Sequence, residues 1–202
     1  VSRDLSGLPD GEFDDIILPL PTPEIVGQLA PRIRKKGVMY LLGFPVVQGA
    51  VSLDIGRIHY EDVRYYGGGN DLESVKQSNT RHDLLEGGSA LFMGAGGPMG
   101  QMHVQRAIEI PMGPEMVVVT DLDRGRLDHI ERRFGDIATH KGVKLITLAP
   151  SQFESQDAMN AHIRELAHGG YDDVIVMAPV AKLVPQALSF AADNAVVNVF
   201  AG

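Results

Sequence analysis

Apolar residues in this chain gather in short runs separated by longer amphipathic stretches, and the pattern is sharpest after Gly87-Gly88. Runs over 90–93, 117–120, 143–148, 174–177 and 196–200 have the length and composition of buried strands. Between them come helical stretches over 98–108, 123–134 and 180–191. Ser155 opens a further helix in which Met159, His162, Ile163 and Leu166 share one face. Strands alternating with helices imply a parallel sheet covered on both faces. With right-handed crossovers, strands near 90–94, 116–121, 143–148, 173–178 and 195–200 should lie in the order 3-2-1-4-5.

The first 87 residues carry a weaker version of the same pattern. Residues 15–18 read as a buried strand closed by Pro19 to Pro23. A helix follows, with Ile25, Val26, Leu29 and Ile33 at helical spacing, and Gly37 ends it before a strand over 38–42. Arg32, Arg34, Lys35 and Lys36 would then sit at the negative end of the helix dipole. A strand over 62–66 is the best candidate in 46–70, Gly67-Gly68-Gly69-Asn70 read as a break, and 71–85 reads as a helical connector despite Ser78, Asn79 and Thr80.

Aligning 13–44 with 171–202 without gaps superposes Asp14-Asp15 on Asp172-Asp173 and Pro21 on Pro179. The same alignment matches Val26, Gln28 and Val38 to Val184, Gln186 and Val196. Strand, proline break, helix and strand fall in register, which favours an internal duplication. The expected fold is therefore α/β: a Rossmann-type doubly wound parallel sheet with an N-terminal partial repeat of the strand-helix-strand unit. The division is a partial repeat and connector over 1–87 and a dinucleotide-binding unit over 88–202.

Composition narrows the function classes. The chain has 202 residues, 44% hydrophobic and 22% charged, with no apolar run long enough for the roughly 20 residues a membrane span needs. A net charge of −8 offers no footprint for a phosphate backbone, so neither nucleic acid nor membrane is expected as a partner. The absence of cysteine excludes disulfides and thiolate chemistry within these residues and suits a cytoplasmic protein. The start at Val1 suggests a piece of something longer.

The chemistry is concentrated where the strand over 90–93 runs into Gly94-Ala95-Gly96-Gly97-Pro98-Met99-Gly100 and then a helix. Such a turn lets backbone amides and the positive end of a helix approach a pyrophosphate. The spacing from Gly94 and Gly96 to Gly100 is one residue longer than G-x-G-x-x-G; Gly94, Gly97 and Gly100 give an alternative G-x-x-G-x-x-G. The next strand ends at Asp121, where a carboxylate can accept both hydroxyls of an adenosine ribose. The competing reading is that Asp121 only caps the following helix. Its charge should disfavour the 2′-phosphate of NADP, with Arg124 and Arg126 near enough to blunt that preference. NAD is the expected cofactor and NADP is possible.

These residues, together with 117–123, Arg126-Leu127 and 196–202, resemble the medium-chain dehydrogenase/reductase superfamily, within it the zinc-type alcohol and polyol dehydrogenases. The Gly-Gly-Pro-Met-Gly variant is similar to that of L-sorbose-1-phosphate reductase-like members, and residues 37–45 and 62–69 look like the superfamily's fifth and sixth strands. The resemblance implies pyrophosphate at Gly94, Gly96, Gly97, Pro98, Met99 and Gly100, with the ribose at Asp121. It adds Leu122 and Arg126 to the cofactor set and places Ala178-Pro179 on the nicotinamide side. It also implies an oxidoreductase acting on a small-molecule alcohol, polyol or sugar phosphate, a homo-oligomer when intact. The catalytic and zinc-ligating domain of that superfamily is not recognisable here.

Other candidates are weaker. His59, His82, His103, His129, His140, His162 and His168 lack metal-site spacing, so no metal is expected. His103 reads as packed or solvent-facing, and Met93, Met99 and Met102 as core or cofactor-pocket packing. The paired acids precede buried strands, away from the ligand-binding edge. Two other functions remain open: a non-enzymatic dinucleotide sensor, and an S-adenosylmethionine-dependent methyltransferase, which would favour an acid where Leu91, Phe92 and Met93 stand.

Overall fold

A computed structural model describes all residues except 1–4, 6, 44–48, 77–80, 82 and 201–202, and the side chains of 68, 69 and 76. Contacts divide the chain into two compact units, 1–80 and 81–201.

In the first unit β1 (Phe13–Pro19), α1 (Pro23–Leu29), β2 (Ile33–Leu42), α2 (Ile55–Tyr60), β3 (Arg64–Gly69) and α3 (Leu72–Lys76) follow one another. The strands form a wholly parallel sheet in the order β1-β2-β3. Thr22 caps α1, its hydroxyl accepting the Ile25 amide, and Pro23 occupies the first turn, where no amide is missed. Val26, Leu29, Ile33, Met39 and Val63 form the core.

Three expectations need correction here. The helix stops at Leu29, since Pro31 has no amide to continue the ladder, and Ile33 is buried in β2 rather than on the helix. The basic cluster therefore lies in a 3₁₀ turn and the start of β2; Arg32 pairs with Asp10 and Arg34 with Asp14. Gly67, Gly68 and Gly69 continue β3 instead of breaking it, because pairing with β2 outweighs their poor strand propensity. Of the expected helix over 71–85, only α3 is helical among the described residues, and 77–80 and 82 lie outside them.

The second unit contains β4 (Ser89–Met93), α4 (Pro98–Glu109), β5 (Met116–Thr120), α5 (Arg124–Lys141), β6 (Lys144–Leu148), α6 (Gln156–Leu166), β7 (Tyr171–Val176), α7 (Leu183–Leu188) and β8 (Ala191–Val199). Its parallel sheet runs β6-β5-β4-β7-β8, the expected 3-2-1-4-5 order. Strand alternation sends Phe92, Val117 and Val119 into a core with α4 and α5. Leu91, Val118 and Val174 face the opposite core with α6. Helix α5 runs past the expected Phe134 to Lys141, burying Ala138 and ending on Gly142 in the left-handed region (φ 75°). The last helix is shorter than expected and β8 begins earlier, at Ala191.

That early start is shared by both units. Phe13 pairs with Ile33 and Asp15 with Val38; at the aligned positions Tyr171 pairs with Ala191 and Asp173 with Val196. Each ladder shifts register at the same place. The bulged residues Lys36 and Asn194 both take positive φ, 66° and 64°. The strand-helix-strand unit is thus repeated down to its irregularity. Residues 44 and 201–202, the end of the aligned segment, lie outside the described residues.

The repeats differ in their acids. Asp14 and Asp15 are exposed. Asp172 instead accepts the Ser89 amide at 2.8 Å and hydroxyl at 3.0 Å, while Asp173 accepts Arg81 at 2.7 Å and the Leu85 amide at 2.9 Å. These bonds hold Arg81, Leu85 and Ser89 at the starts of β4 and β7, which is why the second unit begins at Arg81, ahead of Gly88. The Asp173 side chain is 3% exposed and its carboxylate accepts from both Arg81 and the Leu85 amide, so Asp173→Ala removes a buried charged acceptor from two donors at once. It is expected to cost about 3 kcal/mol. The aligned Asp15→Ala should stay within about 0.5 kcal/mol; denaturant unfolding of both variants checks the contrast.

Candidate functional site

The glycine turn joins β4 to α4. Gly94 takes φ 71°, Ala95 is buried and donates its amide to Thr120 O at 3.0 Å, and Gly97 is the N-cap of α4 with Pro98 in the first turn. Gly97 has no side chain to cap with, so the first amides of α4 are left without a capping side chain.

The glycines have different causes. A Cβ on Gly100 would come within 2.2 Å of Ala95 O. On Gly96 it would come within 2.6 Å of the Asp121 carboxyl carbon, and on Gly94 within 2.7 Å of Ala178 Cβ. The fold itself demands these three. Gly97 differs: its φ of −75° and ψ of 172° suit any residue, and a Cβ there would meet nothing within 4 Å. Nothing inside the unit requires glycine at 97, whereas a group approaching from outside would.

Asp121 follows β5 and ties two turns together. One carboxylate oxygen accepts the Gly96 amide at 2.8 Å and the other accepts the Asp123 amide at 2.9 Å. The α5 cap is Asp123, which accepts the Arg126 amide, so capping and Asp121 are separate tasks. Leu122 is 85% exposed beside it. Arg124 turns away into a cluster with Asp128, Glu131, Thr147 and Gln152. The Thr147 hydroxyl and Arg124 hold the Glu131 carboxyl below its ordinary range. Arg126 remains at the site, 3.6 Å from Asp123. The expectation that both arginines bear on a 2′-phosphate is narrowed to Arg126.

A cavity of about 760 Å³ opens over the ends of β4, β5 and β7. It brings together seven of the expected residues, Gly94, Gly97, Asp121, Leu122, Arg126, Ala178 and Pro179. Gly96, Pro98, Met99 and Gly100 lie outside its lining and shape the turn from behind. Residues that the sequence reading did not assign to the site also line it: Pro150, Gln156 and Asn160 on the α6 side, and Lys182, Leu183 and Gln186 around α7. No motif marks them, although the proline after β6 and the Ser155 cap placed the start of α6 at this edge. Met93 and Met159 line the cavity; Met99 and Met102 are exposed.

His103 is packed, as expected. Its Nδ1 lies 2.8 Å from Met99 O and its ring stands 4.5 Å from that of Phe200, away from the cavity. His82 lies outside the described residues. Among the described residues no group of three or more histidine or acidic side chains could hold a metal, and no helix is long and apolar enough to cross a membrane.

The chain is 34% identical over 169 residues to mannitol-1-phosphate 5-dehydrogenase of Aliivibrio fischeri, covering 75% of the chain and 39% of that protein. It is 31% identical over 116 residues to L-sorbose 1-phosphate reductase of Klebsiella pneumoniae, covering 57% and 26%. The chain thus spans well under half of either relative. Among solved structures, alcohol dehydrogenase TADH from Thermus sp. ATN1 is similar over 59% of the chain and 30% of its own, with 21% identity and a TM-score of 0.44. No family model matches. The two sequence relatives bear out the resemblance to medium-chain dehydrogenases and reductases, over a portion only of their length.

The unlike causes of the glycines lead to a test. Gly97→Val is expected to leave the melting temperature within a few degrees and to weaken both NADH and NADPH by about tenfold or more, a loss of about 1.4 kcal/mol. Gly100→Ala forces a backbone clash and should lower the melting temperature outright; thermal melts and calorimetric titrations separate the two.

Proposed function

We propose that this chain is the NAD(P)-binding portion of an oxidoreductase that transfers hydride to or from an alcohol, polyol or sugar phosphate. The observation that carries the reading is Gly97: a glycine without internal cause, at a helix N-terminus, lining the same cavity as the Asp121 carboxylate. In this reading the first amides of α4 face a pyrophosphate across Gly97, and the helix dipole stabilises its charge. Asp121 keeps a lone pair on each oxygen for ribose hydroxyls while its two amide bonds fix its orientation. Leu122 covers one face of the base. Ala178 and Pro179 border the nicotinamide side, and Gly96, Pro98, Met99 and Gly100 set the turn.

The site fits the dinucleotide in size and in donor set. Bound there, it supplies the hydride chemistry, and these residues supply binding and orientation. Asp121 favours NAD by repelling a 2′-phosphate, and Arg126 leaves NADP possible. The relatives act, by name, on mannitol 1-phosphate and L-sorbose 1-phosphate, which makes a phosphorylated polyol or ketose the first substrate class to try. The division into a partial repeat over 1–87 and a cofactor unit over 88–202, a homo-oligomeric state and a cytoplasmic location belong to the same proposal.

Turnover by the intact protein with a panel of polyol and sugar phosphates tests the activity. Dinucleotide binding without any turnover would instead favour a sensor. Asp121→Asn tests the site: removing a charged acceptor costs about 1.5–3 kcal/mol, so NADH should weaken about tenfold or more. NADPH should weaken less, because the charge opposing its 2′-phosphate is gone. Calorimetry with both cofactors reads the difference, and unchanged NADH affinity would remove Asp121 from the site.

A further inference from the structure

On the side of the cavity bounded by α6 and α7 the lining changes character. Met93, Met159, Ile163, Met177 and Leu183 supply apolar surface, and against it stand three carboxamides, Gln156, Asn160 and Gln186. They are linked. Gln186 Nε2 donates to Asn160 Oδ1 at 2.8 Å, and Gln156 Nε2 donates to the same oxygen at 3.1 Å. Two donors converging on one oxygen use its acceptor capacity and fix which way the Asn160 amide faces. Its Nδ2 group is left over, as are the Oε1 atoms of Gln156 and Gln186; none has a protein partner among the described residues. All three residues line the cavity, so the set offers it amide donors and acceptors that the protein itself does not use.

Apolar walls with one polar edge suit a flat heteroaromatic ring. The ring in question follows from the strand order. Asp121 ends β5, and β6, whose chain continues through Pro150 to Gln156, is the strand beside it. Asp121, Gln156 and Asn160 line one cavity, so a base attached to a ribose at Asp121 has the start of α6 as a wall on that side. Resting on the dinucleotide reading above, we propose that this amide set reads the Watson–Crick edge of the adenine ring. Asn160 Nδ2 donates to ring N1, Gln156 Oε1 accepts from the 6-amino group, and Gln186 holds Asn160 in position from α7. A carboxamide recognises adenine at N6 and N7 by pairing one donor with one acceptor, and here two side chains supply the same complementarity to N1 and the 6-amino group.

The arrangement sets base selectivity. Hypoxanthine carries a carbonyl in place of the 6-amino group and a proton on N1, so both contacts become like against like. Gln156 cannot turn to suit it without giving up its bond to Asn160 Oδ1.

The test is calorimetric titration of the intact protein with NADH and with reduced nicotinamide hypoxanthine dinucleotide. The wild type is expected to favour NADH by about tenfold. Asn160→Asp, isosteric and still able to accept both glutamine amides, replaces the donor with an acceptor that suits protonated N1; it should move the preference toward the hypoxanthine dinucleotide. Gln156→Met, at an exposed position that the fold does not need, should abolish most of the preference while leaving the melting temperature unchanged. Equal wild-type affinities, or an Asn160→Asp variant that weakens both ligands by one factor, would overturn the assignment and leave the dinucleotide reading intact. A wild type that binds neither ligand would overturn that reading, and this one with it.

Discussion

The site depends on the Asp121 carboxylate, which accepts one amide from the turn after β4 and one from the turn after β5. Each bond is charge-assisted, and together they hold two neighbouring loops at one separation. The consequences run in both directions along the chain. Gly96 must lack a side chain because the carboxylate occupies the volume a Cβ would fill. With Gly96 pinned and Ala95 bonded to Thr120, α4 starts at a set distance from β5, with its N-cap Gly97 on the cavity. An acid here is therefore structural before it binds anything, and the same two bonds fix which way its remaining lone pairs point. Asking whether Asp121 caps a helix or binds a ribose puts the question wrongly, since Asp123 does the capping.

The remaining walls of the cavity come from the crossover. The chain proceeds from β4 to β5 to β6 in one direction, then returns along α6 to β7 on the other side of β4. The strands β4 and β7 stay paired to their ends, while the chain leaves them for helices on opposite faces, α4 and α7, at the switch point where open α/β sheets place their ligands. Helix α6 brings carboxamides to this edge, and α7 meets them through Gln186. At the opposite edge of the sheet the acids that start β7 hold Arg81, Leu85 and Ser89. One strand therefore carries anchoring at its start, through Asp172 and Asp173, and borders the cavity beyond its end, through Ala178 and Pro179.

The sheet order and the glycine turn were legible because each depends on local signals: apolar runs of strand length, prolines and glycines at the breaks, and an acid ending the second strand. Boundaries in the repeated unit were less legible. Ile33 continues the helical spacing of Val26 and Leu29; Pro31 marks trouble in the last turn, but nothing local shows that a bulge at Lys36 lets β2 begin early. The same bulge at Asn194 hid the start of β8. In the site, the spacing of the glycines could not distinguish those the fold requires from the one it does not; that needed the positions of Ala95, Ala178 and Asp121. Gln156, Asn160 and Gln186 were invisible as a group because they lie on two helices and meet only through the packing of α6 against α7.

The most direct measurement of the central claim is a crystal structure of the protein grown with NADH. The account predicts the pyrophosphate over Gly97 at the start of α4, with the adenosine ribose hydroxyls on Asp121. Density for the dinucleotide elsewhere, with Gly97 and Asp121 touching only water, would contradict it.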